Sequence, residues 1–220
     1  MDLLDIVLHY DCNLHCSYCT ITEEMRARPP IDPKVVAAEL ARAAARHCTS
    51  VQFTGGEPTT RGELLPLVRF AAARGFTDVK VQTNGLLLAE PANAARLAAA
   101  GVTRVAVSVH GYTPSGPRYS RITGADDGGA TMLRAIDSLR GAGVIVECDV
   151  IVMTETLDDL ASAVEDLAIR GAARIQLWYV SLTDRNAAFP ESLPRMSDAA
   201  PALRAAMAAG ADCGAEVVSL

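Results

Sequence analysis

The chain has 220 residues, a net charge of −6 at neutral pH, 50% apolar residues and 21% charged ones. That length suffices for one large core, and residues 1–220 are read as a single domain. The balance argues against a basic nucleic-acid-binding stripe, no apolar run reaches the roughly 18 residues of a membrane helix, and acids occupy Met1-Asp2-Leu3-Leu4-Asp5, where a signal peptide needs basic residues.

The first apolar run, Asp5-Ile6-Val7-Leu8-His9-Tyr10, reads as a strand. It leads into Cys12-Asn13-Leu14-His15-Cys16-Ser17-Tyr18-Cys19. Three thiolates at C-x3-C-x2-C spacing on one loop can converge on a single inorganic centre. A structural zinc site closes with four ligands, as does a fully protein-ligated iron–sulfur cube, so three leave one metal position open. Six cysteines, three of them crowded into this loop, do not resemble a disulfide framework and suit a reducing cytoplasm.

Further strand-like runs begin near Val51, Val79, Val105, Val144 and Ile175. Between them lie helical stretches at about 33–46, 62–74, 91–100, 130–141 and 157–170. Asp32-Pro33 and Glu90-Pro91 place proline near the first helical position. Gly75, Gly101, Gly143 and Gly171 stand where helices end before the next strand. A last helix around 197–210 leads to a candidate seventh strand at 215–220. Six strand–helix units in this order argue for a parallel, barrel-like α/β fold.

The unusual polar residues sit at the ends of these strands. The cysteine loop follows the first, Gly55-Gly56-Glu57-Pro58 the second and Thr83-Asn84-Gly85 the third. Ser108-Val109-His110-Gly111 ends the fourth, and Trp178-Tyr179 ends the sixth. In parallel barrels the C-terminal strand ends build the active site, so these motifs are expected on one rim.

Cys12-x3-Cys16-x2-Cys19 with Tyr18 before the last cysteine, then Phe53-Thr54-Gly55-Gly56-Glu57-Pro58, then Thr83-Asn84-Gly85, resembles the radical SAM superfamily. The resemblance implies a partial (βα)6 TIM-like barrel. It also implies a [4Fe–4S] cluster ligated by Cys12, Cys16 and Cys19, with S-adenosylmethionine on the fourth iron. One electron through the cluster would cleave the cofactor to a 5′-deoxyadenosyl radical, which takes a hydrogen atom from a peptide or small biosynthetic substrate. An electron donor such as flavodoxin or ferredoxin is the implied partner. By the same resemblance Gly55, Gly56 and Glu57 hold the cofactor's amino group, and Tyr18 and Asn84 belong to its site. Ser108 contacts its ribose or carboxylate and Arg121 pairs with its carboxylate, with Arg118 a rival to Arg121 and a solvated loop arginine the alternative for either. His110 is a candidate for substrate contact or proton transfer, with a structural hydrogen bond the equal alternative.

The alternation of the fifth strand puts Val144, Val146, Cys148, Val150 and Val152 on one face and Ile145, Glu147, Asp149 and Ile151 on the other. Charges on a buried strand need partners or a polar lumen, so Glu147 and Asp149 are candidates for cofactor or substrate contacts. Cys148 is a candidate hydrogen-atom donor if it faces the lumen; a buried core thiol is the alternative. Competing readings of the whole chain are a zinc-binding interaction module, with His9 or His15 as fourth ligand, and a non-catalytic cofactor-binding barrel subunit. The chain stops at the core, without a cysteine-rich C-terminal extension, as a core-only enzyme or a trimmed one.

Overall fold

The computed structural model describes residues 3–111, 117–180, 187 and 190–219. Seven parallel strands form one sheet in chain order: Leu3–Val7 (β1), Ser50–Thr54 (β2), Asp78–Thr83 (β3), Arg104–Val109 (β4), Ile145–Val152 (β5), Arg174–Tyr179 (β6) and Glu216–Ser219 (β7). β1 and β7 are the sheet's two edges, so the barrel is partial. The seventh strand expected from the terminal apolar run is thus present, and Leu220 lies outside the described residues.

Helices Pro33–Ala45 (α2), Leu64–Ala73 (α3), Pro91–Ala100 (α4), Gly128–Gly141 (α6), Leu160–Ile169 (α7) and Met196–Asp212 (α8) connect the strands. Asp32 caps α2 by accepting the Lys34 N–H at 2.8 Å, and Pro33 fills the first turn where no N–H is needed. The helix expected over 157–170 opens instead as a 3-10 turn, Thr154–Asp159, before α7. Two short helices were not expected: Glu23–Arg26 (α1) and Pro117–Thr123 (α5). No helix among the described residues is long and apolar enough to cross a membrane.

The strands' alternation separates an apolar exterior from a polar interior. Val51, Phe53, Val79, Val81, Val105, Val107, Cys148, Ile175 and Leu177 are fully buried in the core shared with Leu40, Val68, Ile136 and Leu167 of the helices. The opposite face carries a chain of polar contacts. Gln52 donates to Asp5 at 3.4 Å, Lys80 reaches Glu147 at 2.6 Å across β4, and Arg104 joins Glu147 at 3.0 Å and also pairs with Asp78. Higher up, Thr54 donates to Gln82 at 3.1 Å, and Gln82 donates to Asp149 at 3.0 Å. Glu147 tolerates burial because two cations flank it.

Candidate active site

The cysteine loop leaves β1 and is tied down along its backbone. His15 N–H donates to the Thr123 carbonyl at 2.9 Å and Ser17 N–H to the Ile122 carbonyl at 2.8 Å, so the last turn of α5 finds partners in the loop. Cys19 N–H donates to the Cys16 carbonyl at 3.1 Å, and Leu14 N–H points at the Cys12 sulfur at 3.4 Å. Burial, reinforced by the neighbouring Cys19 and Cys12, pushes the Cys16 thiol up to about 12. Burial also raises Cys12, against the pull of the Leu14 N–H and the Arg26 guanidinium. Without a metal these sulfurs hold their protons at neutral pH, and metal uptake must displace them.

Gly55 and Gly56 bring the second loop against the first. Gly56 N–H donates to the His9 carbonyl at 2.8 Å, and Glu57 N–H to the Asp11 carbonyl at 2.9 Å. A Cβ on Gly56 would stand 1.8 Å from the Asp11 carbonyl oxygen, and one on Gly55 2.2 Å from that of His9. In the sequence alone, the missing side chains suggest room for a ligand. The structure uses them first for backbone against backbone, with Gly55 at φ +136°, where only glycine is comfortable.

Glu57 is fully buried, and its carboxylate is occupied. One oxygen accepts from Thr59 N–H at 3.0 Å, Thr59 hydroxyl at 2.6 Å and Thr83 hydroxyl at 2.7 Å; the other accepts from Asn84 N–H at 2.7 Å. His9 Nε2 donates to the Glu57 carbonyl at 3.0 Å. Glu57 therefore joins the loops after β2 and β3, a different position from the direct cofactor contact expected for it. Asn84 carries the tie onward, donating to Asn13 at 2.8 Å beside the Cys12 sulfur at 3.9 Å.

Cys12, Cys16, Cys19, Tyr18, Gly55, Gly56, Asn84, Ser108 and His110 line one cavity of about 150 Å³ at the C-terminal rim. A second cavity of about 340 Å³ shares Tyr18, Cys19, Gly55, Gln82 and Ser108 and adds Asp149, Ile151, Trp178 and Tyr179. His110 is buried, its Nδ1 hydrogen-bonded with the Tyr18 hydroxyl and its Nε2 without a partner among the described residues. Burial lowers its pKa to about 4, so the imidazole is neutral at pH 7. The edge of Tyr119 packs on it with ring centroids 6.0 Å apart.

Cys148 and Arg121, like Glu57, do not line this cavity. Cys148 lies fully buried on the helix side of β5, among Val146, Val150 and the apolar core, and burial raises its thiol pKa. It does not face the lumen, so the hydrogen-donor role loses its geometric condition; Asp149, on the other face, does line the second cavity. Arg121 is exposed and pairs with Glu155 at 3.3 Å, and Arg118 pairs with Asp159. Within α5 the buried residues are Tyr119, Ile122 and Thr123, and neither arginine lines this cavity. The cation that does line the first cavity is Arg26, which the sequence reading passed over. Its signal was Thr22 followed by Glu23 and Glu24, a helix start directly after the cysteine loop.

A parallel partial barrel with three thiols at its rim is an arrangement that suits an iron–sulfur enzyme of the barrel type. The chain belongs to the Radical SAM superfamily, whose profile matches residues 6–167. A curated relative named probable GTP 3′,8-cyclase, from Methanopyrus kandleri, is 32% identical over 167 residues, 76% of this chain and 52% of that protein. Another of that name, from Saccharolobus solfataricus, is 34% identical over 125 residues, 56% of this chain and 39% of its own. The chain thus spans about half the length of the curated relatives it matches, or less. Among solved structures, Streptococcus suis SuiB bound to S-adenosylmethionine covers 99% of this chain and 50% of its own, with TM-score 0.81 at 14% identity. HydG from Carboxydothermus hydrogenoformans covers 98% and 52%, with TM-score 0.73 at 14% identity. At such identities the likeness is one of fold.

The family uses a [4Fe–4S] cluster with S-adenosylmethionine. The donor set here fits such a cluster: three sulfurs around one cavity, a backbone N–H on one of them and a buried guanidinium beside them. Among the described residues no three His, Cys, Asp or Glu side chains gather around a single ion. A cube needs no such gathering, because it distributes its thiolates over separate irons.

Proposed function

We propose that this chain generates a 5′-deoxyadenosyl radical and directs it at a peptide or small biosynthetic molecule. The observation that carries the reading is the convergence of the three cysteines, the double glycine, Asn84, Ser108 and His110 on one rim cavity. The bound cluster and S-adenosylmethionine would supply a one-electron reductive cleavage of the sulfonium. Cys12, Cys16 and Cys19 would hold three irons of that cluster. Gly55 and Gly56 present backbone at the cavity wall, and Asn84 and Ser108 offer polar side chains for the cofactor. Glu57 positions the loops that carry these groups. Trp178, Tyr179 and Asp149 in the adjoining cavity suit substrate contact. The reaction belongs in the cytoplasm, with flavodoxin or ferredoxin as electron donor.

A nucleotide is the second reading, favoured by the name GTP 3′,8-cyclase on relatives matching 76% and 56% of the chain. Anaerobically reconstituted protein, given dithionite and S-adenosylmethionine, should release 5′-deoxyadenosine. No release above a Cys16→Ala control would refute the radical reading. Stimulation by GTP, with deuterium transferred from labelled GTP into 5′-deoxyadenosine, would decide for the nucleotide.

A further inference from the structure

The short helix after the cysteine loop buries a single cation. Thr22 caps α1 by accepting the Met25 N–H at 3.2 Å, and Glu23 and Glu24 sit at its positive end. Arg26 follows in the last turn with its side chain only 8% exposed. Its guanidinium donates to the Cys12 carbonyl at 3.3 Å and the Leu14 carbonyl at 3.0 Å, and it lines the cavity of the three cysteines. Compensation from the protein is thin. The Glu23 carboxylate stands 3.9 Å away and is 76% exposed, and the buried Nε has no hydrogen-bond partner among the described residues. A buried guanidinium held by neutral carbonyls is costly unless an opposite charge lies close. Three cysteinates carrying a cluster would provide that charge, and an added electron would increase it.

We infer that Arg26 is the fixed counter-charge of the cluster site, pinning the loop at Cys12 and Leu14 and favouring the reduced state of a bound cluster over the oxidised one. The inference rests on the reading that Cys12, Cys16 and Cys19 hold the cluster. The step is a one-electron transfer from an external low-potential reductant into the cluster. No protein bond forms or breaks, and Arg26 keeps its proton throughout.

Redox titration followed by electron paramagnetic resonance, on reconstituted wild type, Arg26→Met and Arg26→Lys, tests this with dithionite as reductant. The midpoint potential should move to more negative values in Arg26→Met and stay near wild type in Arg26→Lys. Equal potentials in wild type and Arg26→Met at equal iron content would overturn the inference. So would weaker S-adenosylmethionine binding at unchanged potential, which would make Arg26 a cofactor ligand. If Arg26→Met retains no iron, retention by Arg26→Lys supports a charge role, and loss in both overturns it in favour of the guanidinium's hydrogen bonds. A wild type that assembles no iron–sulfur absorbance sinks the cluster reading itself, a result distinct from a cluster indifferent to Arg26.

Discussion

Replacing Glu57 by alanine separates two roles for the carboxylate, a cofactor ligand or a tie between loops. In the structure it accepts four hydrogen bonds and is fully buried. The Thr59 and Thr83 hydroxyls can rotate toward other acceptors. The two backbone N–H groups cannot, and that of Asn84 belongs to a residue only 5% exposed. Orphaning a buried donor costs about 1–3 kcal/mol, so Glu57→Ala should lose about 3 kcal/mol, with Thr59 partly rescued by water. At a urea slope of ~1–3 kcal/mol/M the midpoint should fall by roughly 1–3 M. Glu57→Gln keeps an oxygen for Thr59 and Thr83 but turns an amide toward the Asn84 N–H, so an intermediate loss is expected. Urea denaturation of the iron-free chain, followed by circular dichroism, measures this, and iron analysis after reconstitution should show the cluster depleted in parallel. An Ala variant with the wild-type midpoint and full iron, impaired only in S-adenosylmethionine binding, would show that Glu57 touches the cofactor and that the tie is incidental.

Three further outcomes follow from the same geometry. Gly56→Ala sets a Cβ 1.8 Å from the Asp11 carbonyl oxygen and 2.7 Å from the Tyr10 carbonyl carbon. Backbone cannot yield there as a side chain does, so a loss above about 3 kcal/mol is expected in thermal or urea unfolding; a neutral result would refute the close approach. Cys148→Ala should cost about 1 kcal/mol from a small core cavity and leave 5′-deoxyadenosine formation and substrate turnover within about twofold. Turnover lost at unchanged stability would return Cys148 to the lumen. His110, neutral and buried with a pKa near 4 against an ordinary 6.5, takes up its proton more readily when unfolded. Its contribution is therefore complete above pH 6.5 and is lost as pH falls toward about 4, at most about 3 kcal/mol by linkage. The stability of the iron-free chain between pH 7 and pH 5 should fall less in His110→Phe than in wild type; identical pH slopes would mean the imidazole is already solvated.

The strand ends were legible because each motif follows a run whose alternation is visible, and the rim follows once the runs are parallel. β5 is the clearest case: alternation alone separates Glu147 and Asp149 from Cys148, and the structure keeps that division. What could not be read was whether a polar group serves a ligand or the chain itself. Gly55, Gly56 and Glu57 carry the pattern of a ligand loop, yet their immediate partners are His9, Asp11, Thr59, Thr83 and Asn84. Arg121 misled for a different reason. Seven residues of α5, begun by a proline, are too short for helical periodicity to show, and only in the helix is Arg121 left exposed while Tyr119, Ile122 and Thr123 are buried. Arg26 stayed hidden for the same reason, in a helix of four residues.

These failures share a physical cause. Among the described residues the sheet is open at β1 and β7, with no strand closing it to fix the spacing of the rim, so the loops must hold one another. The first loop is held by Gly56 and Glu57 from the second, by Asn84 from the third, by the end of α5 after the fourth strand, and by Arg26 from behind. A cluster loop fixed at so many backbone points meets its ligand with little left to order. For that reason the residues that look most like ligands in the sequence do double duty as the frame. Substituting any one of them should disturb fold and cofactor binding together, whereas the lumen residues Ser108 and Asp149 lie outside that frame and are the places to alter the chemistry alone.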